Sequence, residues 1–193
     1  GMAIYAATHY GCKVTTTTIS REQYDYAVAR VKAVGLDDKI TILFNDYRDL
    51  RGQYTKLVSI EMIEAVGHEH YDQYFSICSH LLAPDGLMLL QAITIQDQRY
   101  EQARSAVDFI QRYIFPGGSL PSIAVIADTV RHKTEFNILH LEDIGDHYAQ
   151  TLKHWREAFM EKLEQVRDQG FDERFIRMWE FYLVGSEATF RLG

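Results

Sequence analysis

The sequence predicts an α/β protein of the doubly wound kind. Three observations carry that expectation. Helical and strand patterns alternate over residues 2–95. Leu87–Ile93 is a near-continuous apolar run, the mark of a strand covered on both faces in a parallel sheet. The chain also lacks repeats, low-complexity stretches and proline-rich linkers. Helix, strand, helix, strand in this rhythm is the second quarter of such a fold, in which a nucleotide ligand sits on the loop after the first strand.

The elements follow in order. Met2 to His9 reads as a helix and Cys12 to Thr18 as a strand. Ser20 with Gln23 three residues later opens a second helix like a capping box, and Gly35 closes it after Val34. Lys39–Phe44 and Lys56–Ile60 read as strands. Tyr71–Leu82 is helical, with Tyr74, Phe75, Cys78, Leu81 and Leu82 on its apolar stripe, and the turn Ala83-Pro84-Asp85-Gly86 delivers the chain into the strand Leu87–Ile93. After Ile95 a polar helix covers about 96–111. It leads into Tyr113–Ser122, whose two prolines and paired glycines fix a rigid, non-helical course. A helix begins near Ser122, a strand follows at Phe136–Leu141, and helical patterns fill Asp146–Arg167 and Phe171–Arg191. The last carries Phe171, Phe175, Met178, Trp179, Tyr182 and Phe190 on one broad face, which reads as core.

Composition narrows the function. At 193 residues and 47% hydrophobic side chains, the chain holds one domain with a real core. A net charge of −7 with dispersed basic residues disfavours nucleic acid as a partner. Cys12 and Cys78 show no CxxC spacing, which fits two small buried residues in a reducing cytosol. No run approaches the roughly 20 apolar residues of a membrane span, and no charged-then-apolar leader opens the chain. A soluble, cytoplasmic protein is therefore expected, with a lipid substrate still compatible. His68-Glu69-His70 lacks a third partner at helical spacing and reads as a solvated loop, so no metal is expected. Asp143, Asp146 and His147 read as caps of the helix near Asp146.

Three segments carry a resemblance: Val58-Ser59-Ile60-Glu61-Met62-Ile63-Glu64-Ala65-Val66-Gly67, Leu89-Leu90-Gln91-Ala92-Ile93-Thr94, and Tyr113-Ile114-Phe115-Pro116-Gly117-Gly118-Ser119-Leu120-Pro121-Ser122. They resemble the fourth-strand motif, fifth-strand motif and following insertion of the cyclopropane-fatty-acyl-phospholipid synthases and mycolic-acid methyltransferases, which depend on S-adenosylmethionine. The resemblance implies a Rossmann-like methyltransferase fold that is incomplete here, its first strand with the glycine-rich loop and its final strand lying outside the chain. Residues 1–193 would then be a single partial domain with a helical insertion at about 96–134. The implied activity converts cis-unsaturated acyl chains of phospholipids, met at a membrane surface, to cyclopropane or methyl-branched chains.

The same resemblance implies a site. Thr18, Ser20 and Gln23 would line the ribose, with Gln23 as hydroxyl partner, since a neutral amide both donates and accepts toward a diol. Asp46 would accept from the adenine amine and Tyr47 would stack on the base. Glu64, the Ile93 backbone and the Tyr148 hydroxyl would hold a bicarbonate that removes a proton as the ring closes. Glu64 and the anion would share a proton. Gln91 stands where many members have histidine, and Ala65 where a histidine commonly follows the glutamate, which marks a divergent branch. Gaps beside otherwise apolar strands imply re-pairing across the gaps or a homo-oligomer. The rival expectation is a noncatalytic remnant with a folding, lipid-binding or oligomerisation role.

Overall fold

A computed structural model describes residues 1–192. It divides into two compact units: residues 1–58 with 73–89, and residues 59–72 with 90 onward.

The first unit opens with α1 (Met2–Tyr10), β1 (Val14–Thr18), α2 (Arg21–Ala33) and β2 (Ile40–Phe44). β1 and β2 pair in parallel from Val14 opposite Ile40 to Thr18 opposite Phe44. Ala7, Val31 and Ile40 are buried together, with Ile4, Val14 and Leu36 packed around them. The ends of α2 form for local reasons. The Ser20 hydroxyl accepts from the Gln23 backbone N–H at 3.2 Å. At the other end Gly35 takes a φ of +64°, while its N–H reaches the Lys32 carbonyl and the Leu36 N–H reaches the Val31 carbonyl.

β3 (Tyr54–Ile60) pairs with β4 (Leu82–Gln91) in a second two-stranded sheet. The two sheets remain separate, so the expected re-pairing across the gap is not formed. Between these strands, α3 (Tyr71–Leu81) buries Tyr74, Phe75, Cys78 and Leu81 as its stripe requires. β4 corrects one expectation, because it starts directly after α3 and takes in the residues read as a turn. Gly86 marks a close approach within it, since a Cβ there would lie 2.6 Å from the Leu82 side chain and 2.8 Å from the Ala83 carbonyl oxygen.

The second unit is mostly helical: α4 (Tyr100–Ser105), α5 (Phe109–Tyr113), α6 (Ile123–Lys133), α7 (Gly145–Glu161), α8 (Leu163–Asp168) and α9 (Glu173–Leu192). The polar helix expected at about 96–111 is broken, because Asp108 and Gln111 close a capping box that starts α5 afresh. The strand expected at Phe136–Leu141 is absent. That stretch has no ladder partner among the described residues, and Ile138, Leu139 and Leu141 stay exposed. The N-cap of α7 is Ile144, and Asp143 before it accepts from the Gly145 N–H at 2.8 Å, while Asp146 and His147 lie within the helix rather than capping it. Cys78 is buried as expected, whereas Cys12 lies exposed in the loop before β1.

α7 and α9 lie along each other. Leu152 is fully buried, and Ala149, Ile176 and Leu183 are nearly so. Along α9, Phe175 meets Trp179 at 5.8 Å between centroids and Trp179 meets Tyr182 edge-on at 5.6 Å, but these rings are only half-buried and Phe171 is exposed, so the face read as core is buried at Ile176 and Leu183 instead. Leu152→Ala should cost about 2–5 kcal/mol, the usual range for a Leu truncated in a packed core. Urea denaturation measures it, and a loss under about 1 kcal/mol would remove Leu152 from the core.

Candidate active site

β3 ends at Ile60, and the next residue departs from ordinary backbone. Glu61 has a φ of +50°, a left-handed conformation that costs a non-glycine residue about 1 kcal/mol or more. Three hydrogen bonds hold it there. Its N–H donates to the Gln91 carbonyl at 2.9 Å. The Gln91 amide donates to Oε1 at 2.8 Å, and the Tyr148 hydroxyl of α7 donates to Oε2 at 2.8 Å. Burial, then the bond to Glu61, pushes the Tyr148 hydroxyl far above its ordinary range, so it stays a neutral donor.

One turn further, Ile63 is fully buried and anchors a single 3-10 turn, Ile63–Ala65. Glu64 Oε1 accepts from the Ile93 backbone N–H. Its Oε2 is buried with no hydrogen-bond partner. Burial raises the Glu64 pKa, with a smaller push from the Glu61 charge, and the protonated form gives the orphan oxygen a hydrogen of its own.

The rigid segment 113–122 braces this turn. The Ser119 N–H donates to the Glu64 carbonyl at 2.8 Å, and the Tyr71 hydroxyl donates to the Ser119 carbonyl at 3.0 Å. Burial pushes the Tyr71 hydroxyl up to about 12, which keeps it protonated as a donor. Position 118 is tight, since a Cβ there would come within 3.1 Å of the Phe115 carbonyl oxygen. The two prolines and paired glycines of this segment thus fix the backbone beneath a buried carboxyl.

The expected cofactor residues lie in the first unit. Thr18 donates to Gln23 Oε1 at 2.7 Å and accepts from the Ser20 N–H at 3.1 Å. The Gln23 side chain therefore turns to Thr18, and the expected reciprocal capping box is not closed. Its amide nitrogen has no protein partner among the described residues. Asp46 caps the turn after β2 by accepting from the Arg48 N–H at 2.9 Å, and it also pairs with the Arg48 guanidinium at 2.9 and 2.7 Å. That guanidinium holds the Asp46 carboxyl below its usual range. Tyr47 is half-buried, with its ring edge-on to Tyr74 at 5.8 Å.

Of the residues expected to do chemistry, Gln91 and Tyr148 meet on one carboxylate and Ile93 meets Glu64. Glu61, which joins the first two, was not among the expected residues. Its trace in the sequence is an acid placed directly after the apolar β3, at the carboxyl end of a strand where α/β proteins bind ligands.

A model of the mycolic acid cyclopropane synthetase family matches residues 1–193. The chain belongs to the mycolic acid cyclopropane synthetase family. It is 44% identical over 183 residues to tuberculostearic acid methyltransferase UfaA1 of Mycobacterium tuberculosis, covering 95% of this chain and 43% of that protein. Cyclopropane-fatty-acyl-phospholipid synthase of Escherichia coli is 37% identical over 191 residues, covering 99% of this chain and 47% of that protein. The chain thus spans about half the length of the curated relatives it matches. Among solved structures, mycolic acid cyclopropane synthase CmaA1 complexed with SAH and CTAB superposes with a TM-score of 0.88 at 28% identity, covering 98% of this chain and 69% of that one. The fold is accordingly the Rossmann-like fold of methyltransferases that use S-adenosylmethionine.

The buried Glu64 gives a pH-dependent prediction. Its folded pKa is raised, so the stability it contributes is full below the ordinary carboxyl value of 4.5 and is lost as pH rises through the folded value. Glu64→Gln has no such dependence. Urea unfolding should show the variant gaining on the parent as pH rises above 4.5, and parallel stability curves would contradict the raised carboxyl.

Proposed function

We propose that this chain takes part in transferring the methyl group of S-adenosylmethionine to a cis-unsaturated acyl chain of a phospholipid, giving a cyclopropane or methyl-branched chain. The observation that carries this reading is the polar centre of Glu61, Glu64, Gln91, Ile93 and Tyr148, built on two of the three segments that mark the family, with the third bracing Glu64. When bound, S-adenosylmethionine supplies an electrophilic methyl group. The residues at the end of β1 suit its diol, since the Gln23 amide nitrogen is exposed and unpartnered. Thr18 and Ser20 fix that amide's position. Asp46 keeps one lone-pair direction beyond the three given to Arg48, the minimum for the adenine amine. Tyr47 offers the base a ring already braced by Tyr74.

Bicarbonate, the expected proton acceptor, does not fit the residues as they stand. The Ile93 N–H is given to Glu64 and the Tyr148 hydroxyl to Glu61. The chain's own carboxylates already occupy the donors an anion would use.

The relatives' names support a lipid substrate, and no described helix is long and apolar enough to cross a membrane. Contact would then be peripheral, on the cytoplasmic side, where the two unpaired cysteines suit a reducing compartment. Phe44, Val58, Ile60, Leu87 and Leu89 leave much of their surface open on the strands, which favours a homo-oligomer over a lone chain. The rival reading, a noncatalytic remnant, lacks a use for an orphaned buried carboxyl oxygen on Glu64.

Two measurements test the reading. Glu64→Ala in the full polypeptide, which leaves the Ile93 N–H without its acceptor, should lower turnover on a monounsaturated phospholipid by at least about tenfold, as for loss of one member of a catalytic hydrogen-bond network. Unchanged turnover would remove Glu64 from the chemistry. Sedimentation of the chain should show a dimer or larger species, and a stable monomer would remove the oligomer.

A further inference from the structure

Building on the methyl-transfer reading, we propose that the Glu61 side chain is the base that takes the proton released when the methylated acyl chain is quenched, with Gln91 and Tyr148 as its positioning residues. Both Glu61 oxygens accept hydrogen bonds, one from an amide and one from a hydroxyl, which is the pattern of an ionised carboxylate. Both donors are neutral. Among the described residues no arginine or lysine pairs with this carboxylate, and the two donors fix its direction. The neighbouring carboxyl is engaged elsewhere: Glu64 Oε1 takes the Ile93 backbone N–H, and its Oε2 is buried without a partner. The Tyr148 hydroxyl stays protonated.

The backbone adds an independent observation. A glutamate held at φ +50° occupies a conformation that glycine adopts freely, and strain of this kind persists where the residue's side chain has a use. Glu61 is half-buried and so not sealed from its surroundings.

The reaction balances on these groups. The alkene π pair forms the bond to the transferred methyl carbon while the carbon–sulfur bond breaks and its electrons return to sulfur, leaving a carbocation on the chain. A C–H bond beside that cation then breaks. Its proton goes to a Glu61 oxygen, and its electron pair closes a ring if the hydrogen came from the new methyl, or a double bond if it came from the neighbouring chain carbon. Glu61 leaves the cycle protonated and returns its proton to water.

The test uses the full polypeptide with Glu61→Gly and Glu61→Gln. Glycine suits the left-handed backbone and vacates an anion-sized space next to the Gln91 and Tyr148 donors, whereas glutamine fills that space without basicity. Binding of carbon-13 bicarbonate, followed by NMR, should be absent in the parent and in Glu61→Gln and present in Glu61→Gly. Turnover on a monounsaturated phospholipid should fall by roughly a hundredfold in both variants and be restored by added bicarbonate or formate in Glu61→Gly alone. Bicarbonate binding by the parent, absence of binding by Glu61→Gly, or near-parental turnover of Glu61→Gly in bicarbonate-free buffer would each overturn the role of Glu61. Absence of turnover by the parent would instead sink the methyl-transfer reading, and the binding measurement would still decide whether Glu61 fills an anion position.

Discussion

The carboxylate of Glu61 is held in a backbone conformation that its neighbours must enforce, and much of the polar centre is arranged around that requirement. Its N–H and side chain engage both the backbone and the amide of Gln91, which ties the end of β3 to the end of β4. Tyr148 completes the grip from α7, and its ring is in turn held by Phe190 of α9 at 4.9 Å between centroids. The buried pairing of α7 with α9 therefore does more than fill a core, because it sets where a hydroxyl meets a carboxylate. The two carboxyl groups meet different surroundings. One is ringed by donors, while the other keeps an oxygen in an apolar setting without a partner.

Much of the fold was legible because its signals are local. Ser20 and Gly35 bracket α2 through hydrogen bonds within a few residues, and Asp143 accepts from the first N–H of α7 over a similar span. The ring contacts along α9 followed from period alone, though the burial of its aromatic face did not. What failed depended on distant partners. Phe136–Leu141 has the composition of a strand, yet a strand exists only where a ladder partner lies alongside. The Pro84–Gly86 stretch has the composition of a turn, yet pairing with β3 carries it into β4. The helix over 96–111 was divided by Asp108, whose pairing with Gln111 was visible in the residues but outweighed by the polar helical pattern.

Of the candidate residues read from the sequence, Gln91, Ile93 and Tyr148 all reach a carboxyl group. Their partners were the surprise. Gln91 and Tyr148 serve Glu61, a residue whose left-handed backbone no propensity would assign to glutamate. The use of segment 113–122 was also hidden in the sequence, because its contact with Glu64 is a backbone bond that leaves no side-chain signature. On the cofactor side, Asp46 showed the reverse effect. Its partner Arg48 lies two residues away and was available to sequence reading, and that short-range pair takes most of the carboxylate's bonding capacity.

Incubation of the full polypeptide with S-adenosylmethionine bearing a trideuterated methyl group and a monounsaturated phospholipid, followed by mass spectrometry of the acyl chains, tests methyl transfer to an alkene most directly. The predicted result is one added carbon at the former double bond, with deuterium lost from it when a ring closes and retained when the proton leaves the chain. Label confined to the headgroup, or acyl chains recovered unchanged, would contradict it.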